Sequence, residues 1–297
     1  MTPLDLHASV LLLALLAGVA GSYAIRLALA GPAHFARVDA AGASPLLGTS
    51  VMEMAYWSLQ PLARACVWAG LSANGITRTS LGLGAAAGGA LALGHLGVAA
   101  VLATAAALGD ALDGMVARAT GTANRSGAVL DAAVDRYQEL FFLGGLALHF
   151  HADRVKLALT LLALGGSFMV SYGSAKAEAL GVAAPRGAMR RAERAAYLCG
   201  GALLSPIAWA AADGAQLAPW LAPWSAEAPM LAALALVGVV ANVSAVRRLD
   251  AIARAAGAAG HEASPRVVAR LTPRAPPFSS LAAQPTARTR APGLAPR

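Results

Sequence analysis

Nine aspartates occur in the chain, and four of them, Asp110, Asp113, Asp131 and Asp135, fall within one segment, GDALDGMVARATGTANRSGAVLDAAVDR. Asp110 and Asp113 are spaced i and i+3, and Gly127, Asp131 and Asp135 are spaced i, i+4 and i+8, so each half of the segment presents its carboxylates on one helical face. The short stretch between the halves predicts two antiparallel helices that face each other, with the four acids converging at one end. Converging carboxylates are how helical bundles hold divalent metals. A purely oxygen donor set selects a hard cation, Mg²⁺ or Mn²⁺ rather than zinc, and because a single ion needs fewer carboxylates, two ions are expected. Gly114 and Ala117 beside the first pair, and Gly127 opposite, leave backbone open to a close helix or a ligand. Arg118 follows Gly114 by four residues, and its planar, permanently charged guanidinium suits a diphosphate drawn in by the metals.

These groups need a scaffold, and the composition says of what kind. Of 297 residues 58% are hydrophobic and 13% charged, with a mean hydropathy of +0.60, whereas soluble domains carry about 25% charged residues. An ordinary soluble enzyme is therefore excluded. Apolar runs of the length that crosses a bilayer, about 20 residues, recur at 8–30, 75–97, 98–120, 127–150, 155–181, 192–213 and 228–248, which predicts an all-α, polytopic membrane bundle. The first run lacks the positive flank of a secretory signal and reads as a transmembrane helix, followed by a linker to residue 46. The stretch 47–70 mixes Tyr56, Trp57, Arg64 and Trp68 with apolar residues, the pattern of an amphipathic helix lying in the membrane interface, with a bend expected at Pro61. Residues 71–254 then hold the six spans around the aspartates, and 255–297, rich in Ala, Pro, Arg and Ser, reads as a disordered basic tail.

Charge sorting orients the bundle. Arg118, Arg125, Lys176, Arg186, Arg190, Arg191, Arg194, Arg247, Arg248 and Arg254 flank one set of connections, and only Arg154 and Lys156 the other. The positive-inside rule then puts the aspartates on the cytoplasmic side and the N-terminus outside. The net charge of +8 lacks the basic stripe with interleaved aromatics that nucleic acid requires, so anionic lipid headgroups are the expected partner. Cys66 and Cys199 sit in apolar stretches without metal-ligand spacing, and His149 and His151 fall on the far side of the membrane from the aspartates, so none of these four is assigned chemistry. A charge at the bilayer centre costs about 2.5–3.5 kcal/mol on insertion scales, so the clustered aspartates require a compensating function.

The whole spacing, Asp, two residues, Asp-Gly, two residues, Ala-Arg, eight residues, Gly, three residues, Asp, three residues, Asp, resembles the signature of the CDP-alcohol phosphatidyltransferase family at every fixed position. SANGIT at 72–77 is similar to the Pro-Asn-x-x-Thr start of that family's first core helix. The resemblance implies a six-helix membrane core to which the helix at 8–30 is an addition. It implies transfer of a substituted phosphoryl group from CDP-diacylglycerol, or a related CDP-lipid, to the hydroxyl of a small polar alcohol, with release of CMP. It further implies Asp110, Asp113, Asp131 and Asp135 as ligands of two Mg²⁺ or Mn²⁺ ions, and Asp135 also as general base. Asn74, Thr77, Gly114, Arg118 and Asn124 become contacts of the CDP-lipid, although Asn74 or Thr77 taken alone would simply cap a helix. The family's habit of pairing through membrane helices implies a homodimer, and the site implies phospholipid biosynthesis in a bacterial inner membrane.

A second polar cluster, SYGSAKAEALG at 171–181 and GAMRRAER at 187–194, is similar to segments of the phosphatidylinositol phosphate and archaetidylinositol phosphate synthase branch. By that likeness Ser171, Ser174, Lys176, Arg191 and Arg194 form a pocket for an inositol-phosphate-like acceptor, Ser174 standing where the branch has a basic residue. Glycerol 3-phosphate or free inositol are the alternative acceptors. An intramembrane prenyltransferase would also bind diphosphate through Mg²⁺ and aspartates, but with its acidic motifs far apart in sequence. A cation-coupled transporter would use the aspartates without chemistry. Release of CMP separates the first reading from both.

Overall fold

A computed structural model describes residues 2–33, 35, 38, 48–182, 187–214 and 222–262. Among the described residues the chain forms eight helices: α1 Pro3–Ala30, α2 Gly48–Trp68, α3 Ala73–Ala92, α4 Leu96–Ala119, α5 Arg125–His149, α6 Arg154–Leu180, α7 Arg191–Gly214 and α8 Ala222–Glu262. Polar residues set the starts: Ser72 accepts from Gly75 N–H, Asn124 from Gly127 N–H and Asp153 from Val155 and Lys156 N–H, satisfying donors that a helix N-terminus leaves unpaired. Helix α6 ends on Gly181 in the left-handed conformation, and α2 runs through Pro61 as one helix.

Among the described residues, five helices are long and apolar enough to cross a membrane: Pro3–Ala30, Leu96–Ala119, Arg154–Leu180, Arg191–Gly214 and Ala226–Gly257. The sequence predicts two further spans, at α3 and α5. Those helices are present, but α3 is diluted by glycines and hydroxyls, and α5 carries Asp131, Asp135, Arg136 and Glu139. The protein is therefore an all-α, polytopic membrane bundle.

One expectation is corrected. Helices α4 and α5 touch only sparingly; α3 lies against both and separates them over most of their length. The cause is the run of small residues on α3. A Cβ on Gly88 would run into the Phe141 carbonyl of α5, one on Gly145 of α5 would meet the Gly88 carbonyl, and one on Gly109 of α4 would meet Ser80 Oγ of α3. In lipid no hydrophobic drive brings helices together, so such close backbone approach is what binds them. The same device joins α6 to α8, where Gly166 faces Ala241 and Asn242 and Asn242 Nδ2 donates to the Leu162 carbonyl at 2.9 Å, and α7 to α8, where Gly201 faces Ala233. Leu91, Leu96, Leu143, Leu146, Met230, Leu234 and Val237 are buried in the core.

Helix α1 packs on α4 and α7. Its fully buried Asp5 completes a capping box with Thr2 and also accepts from Gly97 N–H at 3.2 Å and Val98 N–H at 3.4 Å, with His95 Nδ1 at 3.2 Å. One carboxylate thus caps two helix N-termini, and α1 and α4 run parallel. At the other end of α1, Tyr23 OH donates to Glu53 of α2 at 3.1 Å. Leu59 and Ala63 of α2 pack against Leu112 of α4, beside Ile76 and Met115, so α2 buttresses the turn that carries Asp110 and Asp113. Met1–Ala253 is one compact unit, and the described residues from Arg254 onward belong to another. The tail expected from 255 begins as helix, because AIARAAGAAG is rich in the best helix former, and α8 continues to Glu262; residues 263–297 lie outside the described residues, as does the linker over 39–47.

Candidate active site

Helix directions bring the start of α3, the end of α4, the start of α5, the end of α6 and the start of α7 to one end of the bundle. There Asp110, Asp113 and Asp131 offer carboxylate oxygens that all lie within 4.8 Å of one another. Asp113 is buried, and Thr77 Oγ1 of α3 donates to its Oδ2 at 2.5 Å, which fixes the carboxylate and leaves its other oxygen for a ligand. One oxygen each of Asp110, Asp131 and Asp135 is buried without a hydrogen-bond partner. Buried orphan carboxylate oxygens in an all-oxygen cluster fit a hard divalent cation, which would repay their desolvation.

Asp135, one turn beyond Asp131, is held differently. Arg191 of α7 reaches across: Nη2 stands 2.8 Å from Asp135 Oδ1, Nη1 pairs with Asp110 Oδ2, and Nη2 donates to Gln138 Oε1 at 2.9 Å. The sequence assigns Arg191 to the acceptor pocket, and the structure has it joined to two of the four aspartates.

The remaining expected donor contacts gather around the same end. Arg118 lies over Gly114, where an added Cβ would stand 3.2 Å from Nη1. Asn124 spends its side chain on the α5 N-terminus, accepting from Gly127 N–H at 2.7 Å and donating to the Thr122 carbonyl at 3.1 Å. A Cβ on Gly127 would come 3.4 Å from Asn124 Oδ1 and 4.0 Å from Asn74 Oδ1, so both asparagines border the N-terminus of α5, the positive end of its dipole and a ready place for an anion.

Beside the carboxylates lies a basic layer that sequence spacing only partly reveals. Arg194 is 1% exposed; Nε donates to Glu139 Oε1 at 2.6 Å, Nη1 to the Met189 carbonyl at 2.6 Å and Nη2 to Ser171 Oγ at 3.4 Å. Met189 itself is buried with φ of 61°, a left-handed conformation rare for a side chain of its size, and it aims that carbonyl at Arg194. Arg136 donates to both Glu139, at 3.0 Å, and Ser171. Arg248 of α8, 8% exposed, donates to Ser174 Oγ at 2.5 Å. Its charged neighbours are two more arginines, Arg190 and Arg194, and its Nε has no hydrogen-bond partner. Lys176 is exposed and stands outside this bonded set. Arg136, Gln138, Glu139 and Arg248 are the members missed from sequence. For the first three the signal was available, since they follow Asp135 directly on α5; Arg248 lies 74 residues from Ser174 and carries none.

An all-helical membrane bundle with a carboxylate cluster able to hold a divalent cation at one end and arginines beside it defines the class of protein. Its family follows from direct comparison: residues 70–240 match the family model for CDP-alcohol phosphatidyltransferase, and the chain belongs to that family. It is similar to the phosphatidylinositol phosphate synthases of Mycobacterium marinum, 38% identical over 170 residues that cover 54% of this chain and 71% of the relative, and of Mycolicibacterium smegmatis, 35% identical with 63% and 83% covered. Among solved structures it resembles the Mycobacterium tuberculosis phosphatidylinositol phosphate synthase with CDP-DAG bound, at a TM-score of 0.53 and 28% identity over 65% of this chain and 92% of that one. The same enzyme in complex with manganese and citrate gives a TM-score of 0.55 and 29% identity, covering 65% and 87%. The region matched by the family model starts after α1 and α2 and ends before Arg248.

Proposed function

We propose that this enzyme transfers the phosphatidyl group of CDP-diacylglycerol to a hydroxyl of a small, phosphorylated, inositol-like alcohol, on the cytoplasmic side of a bacterial inner membrane. The observation that carries the reading is the cluster of Asp110, Asp113 and Asp131 with its orphan oxygens, one helical turn from Asp135. Two divalent ions, Mg²⁺ or Mn²⁺, would neutralise the diphosphate and the charge that develops as the phosphoryl group moves. Asp110, Asp113, Asp131 and Asp135 would hold them. Asp135 takes the proton of the acceptor hydroxyl, whose oxygen bonds to the phosphorus carrying the diacylglycerol as the bond to the CMP oxygen breaks. Arg118, Asn74, Asn124 and the N-terminus of α5 bind the CDP part, with Gly114 leaving room for it, and Thr77 orients Asp113.

The basic layer supports an acceptor that carries a phosphate. Arg248 is a buried guanidinium for which no carboxylate among the described residues forms an ion pair, and a buried charge calls for a counter-ion. With Ser171, Ser174, Arg191 and Arg194 it surrounds the place for that phosphate, and it supplies from α8 the positive charge that Ser174 lacks. Lys176 serves at the rim. The architecture we assign is a six-helix core, α3 to α8, with α1 as an added transmembrane helix and α2 in the interface, and a homodimer paired through the core helices.

The test is CMP release by the purified protein supplied with CDP-diacylglycerol, Mg²⁺ or Mn²⁺, and in turn inositol phosphate, glycerol 3-phosphate, inositol and serine. Release is expected with inositol phosphate, and to disappear with chelator and return with either metal. Failure of every acceptor with folded, metal-binding protein overturns the proposal; release with glycerol 3-phosphate or inositol alone reassigns the acceptor.

A further inference from the structure

Arg191 occupies an unusual place for a residue near an acceptor pocket. It is a fixed cation that joins Asp110, a member of the three-carboxylate cluster, to Asp135, which stands outside that cluster, and it is steadied by Gln138. Two carboxylates that share one guanidinium cannot both give the same oxygens to a metal ion. Asp110, Asp113 and Asp131 are gathered within ligand distance of one another, and Arg191 holds by ion pairs the two carboxylates, Asp110 and Asp135, that a second ion would need.

We propose that Arg191 is an internal latch: it substitutes for the second divalent ion at Asp110 and Asp135 and must let go before that ion binds. This rests on the two-ion reading given above. What draws it away is an anion. Arg191 opens α7, three residues before Arg194, whose guanidinium meets Ser171, and an arriving phosphate at that layer competes with the aspartates for the same fork of N–H donors. The second ion and the acceptor phosphate therefore bind cooperatively, each relieving the other's obstacle. Asp135, paired with Arg191 until then, is not released to act as a base before an acceptor is present, so water is kept from acting as acceptor and wasting the activated lipid. Arg191 is a positioning residue in this scheme, acting through the availability of Asp135.

The experiment is a Mn²⁺ titration of the full chain in detergent, without CDP-lipid, followed by the electron paramagnetic resonance of free Mn²⁺. Wild-type protein should bind one ion tightly and a second at least tenfold more weakly, and millimolar inorganic phosphate should tighten the second. In Arg191→Gln the second ion should bind at least tenfold more tightly than in wild type, and phosphate should add nothing. Gln138→Ala, which removes only the support, should shift the second ion in the same direction by a smaller factor, and the wild-type response to phosphate needs no variant at all. Equal or weaker Mn²⁺ binding by folded Arg191→Gln, or a wild-type second site indifferent to phosphate, overturns the latch. CMP release by wild type alongside that result removes the latch alone; a Mn²⁺ shift without CMP release for any acceptor removes the proposed reaction alone.

Discussion

Thr77 and Asp113 meet across the seam between α3 and α4 in a 2.5 Å hydrogen bond, both side chains buried. Thirty-six residues separate them in sequence. The bond uses one lone pair of the carboxylate and sets the direction of the rest, the service that an outer partner performs for a metal ligand. Thr77→Val keeps the shape and removes the donor. Losing such a partner ordinarily lowers metal affinity or activity by about 10- to 100-fold. Mn²⁺ titration and CMP release should both register that loss, and the melting temperature should change little.

Asp135→Asn leaves the size of the side chain and removes its basicity. Turnover should vanish while binding of CDP-diacylglycerol, followed by equilibrium binding to protein in detergent, stays within a few-fold of wild type. Normal turnover would remove Asp135 from the role of base.

Arg248→Gln tests the phosphate-bearing acceptor. A hydrogen bond to a charged group is worth about 1.5–3 kcal/mol, so KM for inositol phosphate should rise by roughly 10- to 100-fold. KM for the CDP-lipid should stay unchanged, since no expected donor contact lies on α8. A uniform rise in both would point to a folding defect and not to acceptor recognition.

Gly88 and Gly89 are neighbours with opposite expectations. A side chain at 88 meets the Phe141 backbone carbonyl, and one at 89 meets nothing within 4 Å. Gly88→Val should force α3 and α5 apart at a cost of about 1–3 kcal/mol or more, visible as a lower melting temperature in detergent. Gly89→Ala should be neutral or raise it slightly, because alanine favours helix over glycine by about 0.5–1 kcal/mol.

Asp5→Ala removes a carboxylate that caps both α1 and α4 and strands buried N–H donors at the far end of α4 from Asp110 and Asp113. A loss of about 1–3 kcal/mol in stability is expected. Thermal unfolding should detect it, while KM for both substrates holds, since the carboxylate cluster lies more than ten residues further along α4.

The helices and the gathering of the aspartates were legible because their signals are local. Apolar runs of membrane length, capping residues such as Ser72, Asn124 and Asp153, and aspartates at i, i+3 and i, i+4 each act over a turn or two of chain. The order of packing was not legible. A five-residue connection between α4 and α5 suggests that they face each other, yet the glycines of α3 let it enter between them, and close approach outweighs adjacency in the chain. The hydroxyls and amides were ambiguous for a related reason: Asn124 caps its helix and Thr77 reaches a carboxylate, and nothing within a few residues of either distinguishes the two uses.

What the sequence by itself determined is a membrane-embedded, all-helical enzyme of one family, with four aspartates on two helices at its basic end, because residue type, spacing and hydropathy are properties of short stretches of chain. Which charges those aspartates meet was decided only by the tertiary structure. Arg191 joins Asp110 to Asp135, Glu139 takes Arg194, and Arg248 comes from the last helix to stand at Ser174. Charges pair by distance in space, and in a bundle of long helices that distance depends on which faces of the helices pack together.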